Sequence, residues 1–291
     1  MTYSRLQRTI FRPVAVEGFG YWSGKDVRVE FRPAAIDAGI VFVREDLGCE
    51  ARVPARVEYR TDVPRRTNLQ CGAVQVEMVE HILATLAGLE IDNCEVAVDQ
   101  AEMPGCDGSA LAFVRALDSA GAVEQDKEVS RIEITETVRL ASGDSWIEAH
   151  PAHSGGYHVE FELNYPHDSI IGRQSVGLEV TAESFRREIA PCRTFVLKQE
   201  ADQMLRHGLG TRVTPKNLLV FDQQGPIENE LRFDNECARH KALDLIGDMA
   251  LLGREIAGRI VAYRSGHRLN AALVRELVAR FAEVAPARAS A

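Results

Sequence analysis

The predicted secondary structure of the first half of the chain recurs, in the same order, in the second half. Each half has short strands, an apolar helix with a histidine, one strand, a tight turn and a closing helix. The histidines are His81 and His240, and the closing helices are predicted over 109–117 and 269–283. A repeated order of elements predicts repeated folding units, so we expect an α+β fold of two related two-layer domains. In each, a mostly antiparallel sheet would pack with helices.

The boundary between the two domains is predicted from composition. Residues 124–128 read E-Q-D-K-E, an acidic run without apolar periodicity that is typical of a linker. We therefore predict an N-terminal α+β domain over 1–124 and a C-terminal α+β domain over 129–285. The remaining residues, 286–291, are predicted to form a flexible tail.

Helical periodicity is strongest in two segments of the chain. Residues 74–87 have the apolar spacing of a helix, and Gly88 is a suitable stop signal. A longer helix is predicted from a capping residue at Asp234 to Leu252, and Gly253 follows it. Each of the two helices carries one of the two histidines of the repeat.

The longer helix contains a spacing that is typical of a metal site. His240 and Asp244 are four residues apart, so they share one face of a helix, with Asp248 on nearly the same face. With His81 as a third ligand, these side chains give the three protein ligands of a catalytic zinc site, which keeps its fourth position open. Glu80, next to His81, would place a carboxylate beside that position. The combination predicts a hydrolase.

Composition excludes several other classes of protein. The net charge of -9 argues against a nucleic-acid partner, which requires a basic face. The six cysteines include no C-x-x-C pair, so we expect free thiols in a reducing cytoplasm. The N-terminus lacks a hydrophobic signal core, and no apolar run reaches the roughly 18 residues of a membrane span. We therefore expect a cytoplasmic protein with no transmembrane segment.

Five segments, occurring in order over nearly the whole chain, resemble the UDP-3-O-acyl-N-acetylglucosamine deacetylases. These are zinc enzymes of lipid A biosynthesis in Gram-negative bacteria. The combination is specific, although V-E-H alone would have no diagnostic value. The segments are V-E-H-I-L-A-T-L-A-G-L-E-I-D-N (79–93), E-M-P-G-C-D-G-S-A (102–110), P-C-R-T-F (191–195), R-H-K-A-L-D-L-I-G-D (239–248) and S-G-H-R-L-N-A-A-L (265–273).

The resemblance implies a reaction and a metal centre. It implies hydrolysis of the N-acetyl group of UDP-3-O-acyl-N-acetylglucosamine, a UDP-sugar lipid precursor, with release of acetate. It also implies that His81, His240 and Asp244 bind one catalytic zinc ion at the domain interface, with iron(II) as the alternative metal. Glu80 corresponds to the general base of the family. We expect a monomer.

The resemblance assigns roles to five further side chains. His267 corresponds to the residue that acts as an acid or as an electrostatic stabiliser, and Asp248 corresponds to the carboxylate that orients it. Thr194 corresponds to a hydroxyl near the scissile carbonyl. Lys241 is expected to face the substrate phosphate or the oxyanion, and Phe195 to pack on the substrate.

The chain departs from the pattern of the family at three places. In G-F-G-Y-W-S-G (18–24), Trp22 stands where a histidine is usual. Residues 196–197 are Val-Leu instead of Gly-Phe, and residues 211–214 are T-R-V-T instead of a Gly-Gly-Ser stretch. In the family the last region helps to form the passage for the fatty acyl chain. The departures therefore affect the expected acyl-chain specificity and leave the metal ligands unchanged.

Two alternative functions remain open, the first of them because of these departures. One is a paralogous zinc amidohydrolase that acts on a different N-acetylated sugar or acyl substrate. The other is a non-catalytic metal-binding or regulatory protein that has kept the site as a scaffold. The presence of Glu80 and His267 argues against the second alternative, because a purely structural zinc site needs neither residue.

Overall fold

The computed structural model describes residues 5–152, 155–166 and 169–281. The predicted tail over 286–291 and the end of the predicted last helix lie outside these ranges. All of the strands described are short: β1 (Leu6–Ile10), β2 (Val14–Phe19), β3 (Asp26–Pro33), β4 (Ile40–Arg44), β5 (Arg52–Pro54), β6 (Arg60–Thr61), β7 (Asn68–Cys71), β8 (Val74–Val76), β9 (Cys94–Val98), β10 (Ala122–Glu128), β11 (Arg131–Glu133), β12 (Val138–Ser142), β13 (Ser145–His150), β14 (Tyr157–Asn164), β15 (Arg173–Glu179), β16 (Phe195–Leu197), β17 (Leu219–Phe221) and β18 (Glu255–Tyr263).

The helices occur between groups of strands. A π-helical turn over Phe185–Ile189 continues the third of them, and a 3-10 turn over Ala250–Leu252 continues the fifth. Within the described ranges, no helix is both long enough and apolar enough to cross a bilayer. The α-helices are α1 (Glu80–Gly88), α2 (Leu111–Ala120), α3 (Ala182–Ser184), α4 (Lys198–Arg206), α5 (Glu236–Met249) and α6 (His267–Phe281).

The two largest sheets have the same strand order. The first sheet runs β2-β3-β9-β4-β5, and the second runs β12-β13-β18-β14-β15, with β11 added in parallel to β18. In both sheets the successive pairings are antiparallel, antiparallel, parallel and antiparallel. The fold is therefore a mixture of helices and mostly antiparallel sheets, as predicted.

The acidic segment 124–128 is not a linker. It lies in β10, which pairs antiparallel with β1. Its charged side chains remain largely exposed, and Arg8 of β1 forms an ion pair with Glu124 across the ribbon. The composition suggested a linker because both faces of this strand are polar, and a period-2 apolar pattern is visible only when one face is buried.

The predicted helix over 74–87 is wrong at its beginning. Residues 74–76 form β8, which pairs with β7 in a hairpin, and α1 begins only at Glu80. The sequence V-Q-V fits a strand, and Met78 has a φ of 59°, which interrupts any helix before Val79. The end of the helix, Gly88, is as predicted.

The prediction for α5 is correct except at its ends. The residue before the helix is Asn235 instead of Asp234, and no side chain caps it. The helix proper ends at Met249, and Gly253 terminates the following 3-10 turn in the left-handed conformation, with a φ of 64°. Twelve of the fourteen residues of α5 are buried, because α1, α6, β14 and β15 all contact this helix.

The two histidine-bearing helices approach each other closely at Gly247. A Cβ atom on Gly247 would lie 2.1 Å from the carbonyl oxygen of Glu80, the first residue of α1. Only a glycine allows the backbone of α5 to come this close to the start of α1. The position of His81 relative to His240 therefore depends on a residue without a side chain.

We predict that Gly247→Ala destabilises the protein, although alanine normally favours a helix by about 1 kcal/mol over glycine. The added methyl group would push α5 away from α1, and overpacking of this kind costs about 1–3 kcal/mol. Urea denaturation of the variant and the wild-type chain measures the difference. Gly266→Ala is the control, because its Cβ would meet no atom within 4 Å. Equal losses in both variants would contradict the prediction.

Candidate active site

The three predicted metal ligands lie together between α1 and α5. His81 Nε2 lies 3.6 Å from Asp244 Oδ1, and His240 Nε2 lies 3.4 Å from the same oxygen. One ligand atom from each of the three residues falls within 4.8 Å of the other two. Ligands about 2.1 Å from a tetrahedral zinc ion are separated by about 3.4 Å, so the geometry and the nitrogen and oxygen donors both fit such an ion.

The ring of His240 is held in one orientation by the main chain. Its Nδ1 atom lies 3.1 Å from the carbonyl oxygen of Cys192, so an Nδ1–H donates there and Nε2 faces Asp244. Burial lowers the pKa of His240 to about 3, even though the charge of Asp244 acts in the opposite direction. The ring is therefore neutral at physiological pH, and neutral imidazole is the form that binds metal ions.

Asp244 is an anion in this site. Burial alone would raise the pKa of its carboxyl group, but the charge of Lys241 holds that pKa well below its usual value. The Nζ atom of Lys241 donates to Asp244 Oδ2 at 2.6 Å, and the other oxygen of the carboxylate faces the two histidines. The charge of Asp244 in turn raises the pKa of Lys241 despite its burial.

Glu80 lies at the start of α1, beside the metal ligands. Its Oε2 atom accepts a hydrogen bond from the backbone N–H of Thr67 at 3.0 Å. Burial raises the pKa of Glu80, while the neighbouring His267 and His81 act to lower it. A buried carboxyl group with a raised pKa is more basic than an exposed one, which suits a general base.

His267 is the first residue of α6, and Asp248 orients its ring. His267 Nδ1 lies 2.8 Å from Asp248 Oδ2, which also accepts a hydrogen bond from Asn270 at 2.9 Å. His267 Nε2 points toward the ligand cluster, 4.0 Å from Asp244 Oδ2. Burial alone would lower the pKa of His267, but Asp248, with smaller effects from Asp244 and Glu80, raises it to about 9. The imidazole ring of His267 is therefore protonated and positively charged at neutral pH.

One cavity of about 1320 Å³ connects most of the predicted site residues. Asp248 lies behind His267 and does not line the cavity. Thr194 and Phe195 line the cavity, and the Phe195 ring stands edge-on to that of His240, with 6.3 Å between centroids. The predicted residues that line the cavity are Glu80, His81, Thr194, Phe195, His240, Lys241, Asp244 and His267.

The three departures from the pattern of the family surround the same cavity. Trp22 lines it, and the guanidinium of Arg66 lies 4.5 Å from the centroid of the indole ring. Val196 and Thr214 also line it. Arg212 instead binds the backbone carbonyl of Gly24 and the side chain of Asp26. Trp22, Val196 and Thr214 therefore lie at the wall of the cavity, and none of them belongs to the ligand cluster.

Three polar residues that support the site were not predicted from the sequence. Thr67 and Asn270 both donate hydrogen bonds to Asp248. Glu236 is fully buried one helical turn before His240. Its spacing of four residues from His240 was a usable signal, because it places Glu236 on the ligand-bearing face of α5. No spacing relates Thr67 to Asp248, since they come from separate parts of the chain.

A buried ion pair fixes the segment that carries Thr194. Arg193 Nε donates to Glu236 Oε1 at 2.8 Å, and the Arg193 backbone N–H donates to the same oxygen at 3.0 Å. The flanking residues are Cys192, whose carbonyl orients His240, and Thr194. Arg193 therefore has a structural role: its bonds to Glu236 hold Cys192 and Thr194 against the start of α5.

Comparison with known proteins identifies close relatives. Residues 7–279 match the family model described as UDP-3-O-acyl N-acetylglycosamine deacetylase. A protein of Anaeromyxobacter sp. named UDP-3-O-acyl-N-acetylglucosamine deacetylase is 40% identical over 280 residues, which cover 96% of this chain and 90% of the relative. A protein of the same name from Psychrobacter cryohalolentis is 39% identical, covering 94% and 85%. Another from Chlamydia caviae is 38% identical, covering 94% and 97%.

We predict that Arg193→Ala destabilises the protein by about 3–5 kcal/mol, because it leaves Glu236 charged, buried and unpaired. Chemical denaturation measures the loss. Arg187→Ala is the matched control, since Arg187 forms ion pairs with Glu183 and Glu188 at the surface with 64% of its side chain exposed. Its removal should cost no more than about 1 kcal/mol. Similar losses for the two variants would show that the buried pair has no special importance.

Proposed function

Since the chain belongs to the UDP-3-O-acyl N-acetylglycosamine deacetylase family, we propose that it hydrolyses the acetamide of UDP-3-O-acyl-N-acetylglucosamine in lipid A biosynthesis. The products are acetate and the free amine. The observation that carries the proposal is the position of Glu80 and His267 beside one cluster of ligands, within a single cavity. A site with a base and an acid next to a metal cluster is suited to hydrolysis of an amide.

His81, His240 and Asp244 would hold the metal ion, which we propose to be zinc, with iron(II) as the alternative. When bound, such an ion acts as a Lewis acid and lowers the pKa of water to about 7. The protein contributes two imidazoles and one carboxylate, and contacts from Cys192 and Lys241 orient His240 and Asp244, respectively.

Glu80 is proposed as the general base. Its carboxylate lies beside the ligand cluster and can take the proton of the attacking water. The backbone N–H of Thr67 holds one of its oxygens, so the other remains available for this transfer. Because the raised pKa of Glu80 makes the carboxylate a stronger base, proton transfer is easier than to an exposed glutamate.

His267 is proposed as the acid or the electrostatic stabiliser. Its Nδ1 atom is bound to Asp248, so Nε2–H is the group that can reach the reacting amide. The proton on Nε2 can pass to the leaving nitrogen as the C–N bond breaks, or it can stabilise the oxyanion. Asp248 keeps the ring protonated and in position, as the raised pKa of about 9 indicates.

Thr194, Lys241 and Phe195 are proposed to bind the substrate. The backbone of Thr194 is fixed by hydrogen bonds to Gly108 and from Leu219, which supports a role for its hydroxyl near the scissile carbonyl. Lys241 provides a cation at the cavity wall for the oxyanion or the phosphate. Phe195 offers an aromatic surface against which the substrate can pack.

The remainder of the cavity suits a substrate with an apolar chain and a diphosphate. At the mouth, Arg264 and Arg268 form long ion pairs with Asp144 and Asp62, at 3.9 and 3.8 Å, and with no other carboxylate among the described residues. These guanidinium groups can therefore pair with phosphate oxygens. Aliphatic side chains form another part of the wall, where a fatty acyl chain can be buried: Val196, Met204, Leu205, Leu209, Leu218 and Val220.

We further propose that the chain consists of two domains, near 1–124 and 129–285, with the metal site between them. The identical strand order of the two large sheets supports this division. The site residues also come from both halves of the chain. Glu80 and the ligand His81 belong to α1, whereas the ligands His240 and Asp244 belong to α5. The pairing of β10 with β1 favours assigning residues up to 128 to the first domain. We also propose that the protein is a cytoplasmic monomer.

A second candidate is a paralogous zinc amidohydrolase with another N-acetylated sugar or acyl substrate. Trp22, Val196 and Thr214 favour it, because these departures line the cavity that would receive the substrate. The two candidates share the same chemistry at the ligand cluster. They differ in which substrate the zinc-loaded protein deacetylates.

We predict that zinc-loaded protein releases acetate from UDP-3-O-(3-hydroxyacyl)-N-acetylglucosamine, and that Glu80→Ala and His267→Ala lose turnover by about 10²–10⁴-fold while retaining zinc. Both variants keep all three ligands. His81→Ala is the contrasting variant, because it removes a ligand and should lose the metal. Acetate release and zinc content per chain measure these outcomes.

Each result has a distinct consequence. Loss of zinc in Glu80→Ala would contradict the separation of base and ligand roles. If the wild-type chain binds zinc but releases no acetate from this substrate, the deacetylase proposal fails for it and the paralogue becomes the better candidate. Deacetylation of a different N-acetylated sugar nucleotide would then establish that alternative.

A further inference from the structure

Thr67 forms hydrogen bonds with Glu80, the proposed base, and with Asp248, which orients the proposed acid His267. It is fully buried and lies immediately before β7. Its backbone N–H donates to Glu80 Oε2 at 3.0 Å, and its hydroxyl donates to Asp248 Oδ1 at 2.5 Å. Its carbonyl accepts from the N–H of Val79 at 3.1 Å. All of its polar groups are therefore directed at residues that hold or form the site.

We propose that Thr67 is a positioning residue that sets the distance and orientation between Glu80 and the Asp248–His267 pair. This inference rests on the proposed function, in which Glu80 is the base and His267 is the acid. Glu80 belongs to α1, whereas Asp248 and His267 belong to α5 and α6. One residue that binds both groups fixes them relative to each other more tightly than helix packing alone.

The hydroxyl of Thr67 completes the hydrogen bonding of Asp248. The Oδ2 atom of Asp248 accepts from His267 and Asn270, and the Oδ1 atom accepts from Thr67. The Asp248 side chain is fully buried, so no solvent replaces a lost donor. Without the hydroxyl, only the hydrogen bonds to Oδ2 hold the carboxylate, so it can turn about its Cβ–Cγ bond and the ring of His267 can turn with it. The hydroxyl oxygen also lies 3.2 Å from His267 Nδ1.

The two contacts of Thr67 can be separated by mutation. The bond to Glu80 comes from the main chain and survives any non-proline substitution. The bond to Asp248 comes from the side chain alone. Valine has nearly the same shape as threonine and is also β-branched, so Thr67→Val removes the hydroxyl without opening a large cavity. Thr67→Ser keeps the hydroxyl and loses one methyl group.

A purely structural role for Thr67 would have different consequences. Loss of a buried hydrogen bond then lowers stability, and the folded fraction retains the kinetics of the wild-type protein. A positioning role lowers kcat in fully folded protein, because misplacement of a reacting group by about 1 Å can cost about 10²-fold in rate. It leaves KM nearly unchanged, since Thr67 is not proposed to touch the substrate.

The test compares Thr67→Val, Thr67→Ser and the control Thr9→Val, each fully loaded with zinc. Thr9 is a buried threonine in β1 whose hydroxyl accepts from the Ala34 N–H, far in sequence from the site. We expect kcat for acetate release to fall about 10- to 100-fold in Thr67→Val, with KM and zinc content unchanged. Thr67→Ser should recover most of the rate, and Thr9→Val should match the wild type. If Thr67→Val does not fold, Thr67→Ala compared with Thr67→Ser isolates the hydroxyl, because both variants lack the methyl group.

A second readout separates failure of this inference from failure of the proposed function. In protein labelled with ¹⁵N-histidine, NMR detects the Nδ1–H of His267 that faces Asp248. We expect this signal to shift in Thr67→Val and to return to its wild-type position in Thr67→Ser, whatever the substrate. An unchanged signal together with an unchanged kcat would overturn the inference. Absence of wild-type acetate release would instead count against the proposed function.

Discussion

The close approach of α5 to the start of α1 determines the geometry of the whole site. It is possible because Gly247 has no side chain, so the backbone of α5 reaches the carbonyl of Glu80. The ligands of α5 then lie within a few ångströms of His81, which follows Glu80 directly. Neither helix could form the cluster alone, because each supplies only part of the donor set. A stable contact between two helices is thus also the condition for binding a metal.

The charges buried around this contact are costly unless each has a partner. Asp244 is paired with Lys241, Asp248 with His267, and Glu236 with Arg193. Such pairs seldom add net stability over well-packed apolar residues, and their loss leaves an uncompensated charge. Their presence in α5, a helix buried on nearly all sides, is therefore better explained by the chemistry of the site than by stability. The pairing also maintains the protonation states that hydrolysis requires.

Part of this arrangement could be predicted from the sequence, and part could not. The spacing of His240, Asp244 and Asp248 is local, so helical geometry alone placed them on one face. The start of α1 was misplaced because V-Q-V is compatible with either a strand or a helix until the partner strand is known. Thr67 was missed because its importance arises from contacts over about 180 residues of sequence, as the separation of 181 to Asp248 shows. His81 was proposed as the third ligand although no local spacing relates it to His240 and Asp244, and the resemblance to the deacetylases then implied the same set of ligands.

Anomalous diffraction at the zinc absorption edge, from crystals of the zinc-loaded protein, tests most directly whether the contact between α1 and α5 forms a metal site. We expect one strong peak within about 2.3 Å of His81 Nε2, His240 Nε2 and a carboxylate oxygen of Asp244. The peak should face the cavity that contains Glu80 and His267. A peak bound by other residues, or one that lacks His81 among its ligands, would contradict the joining of the two helices into one catalytic centre.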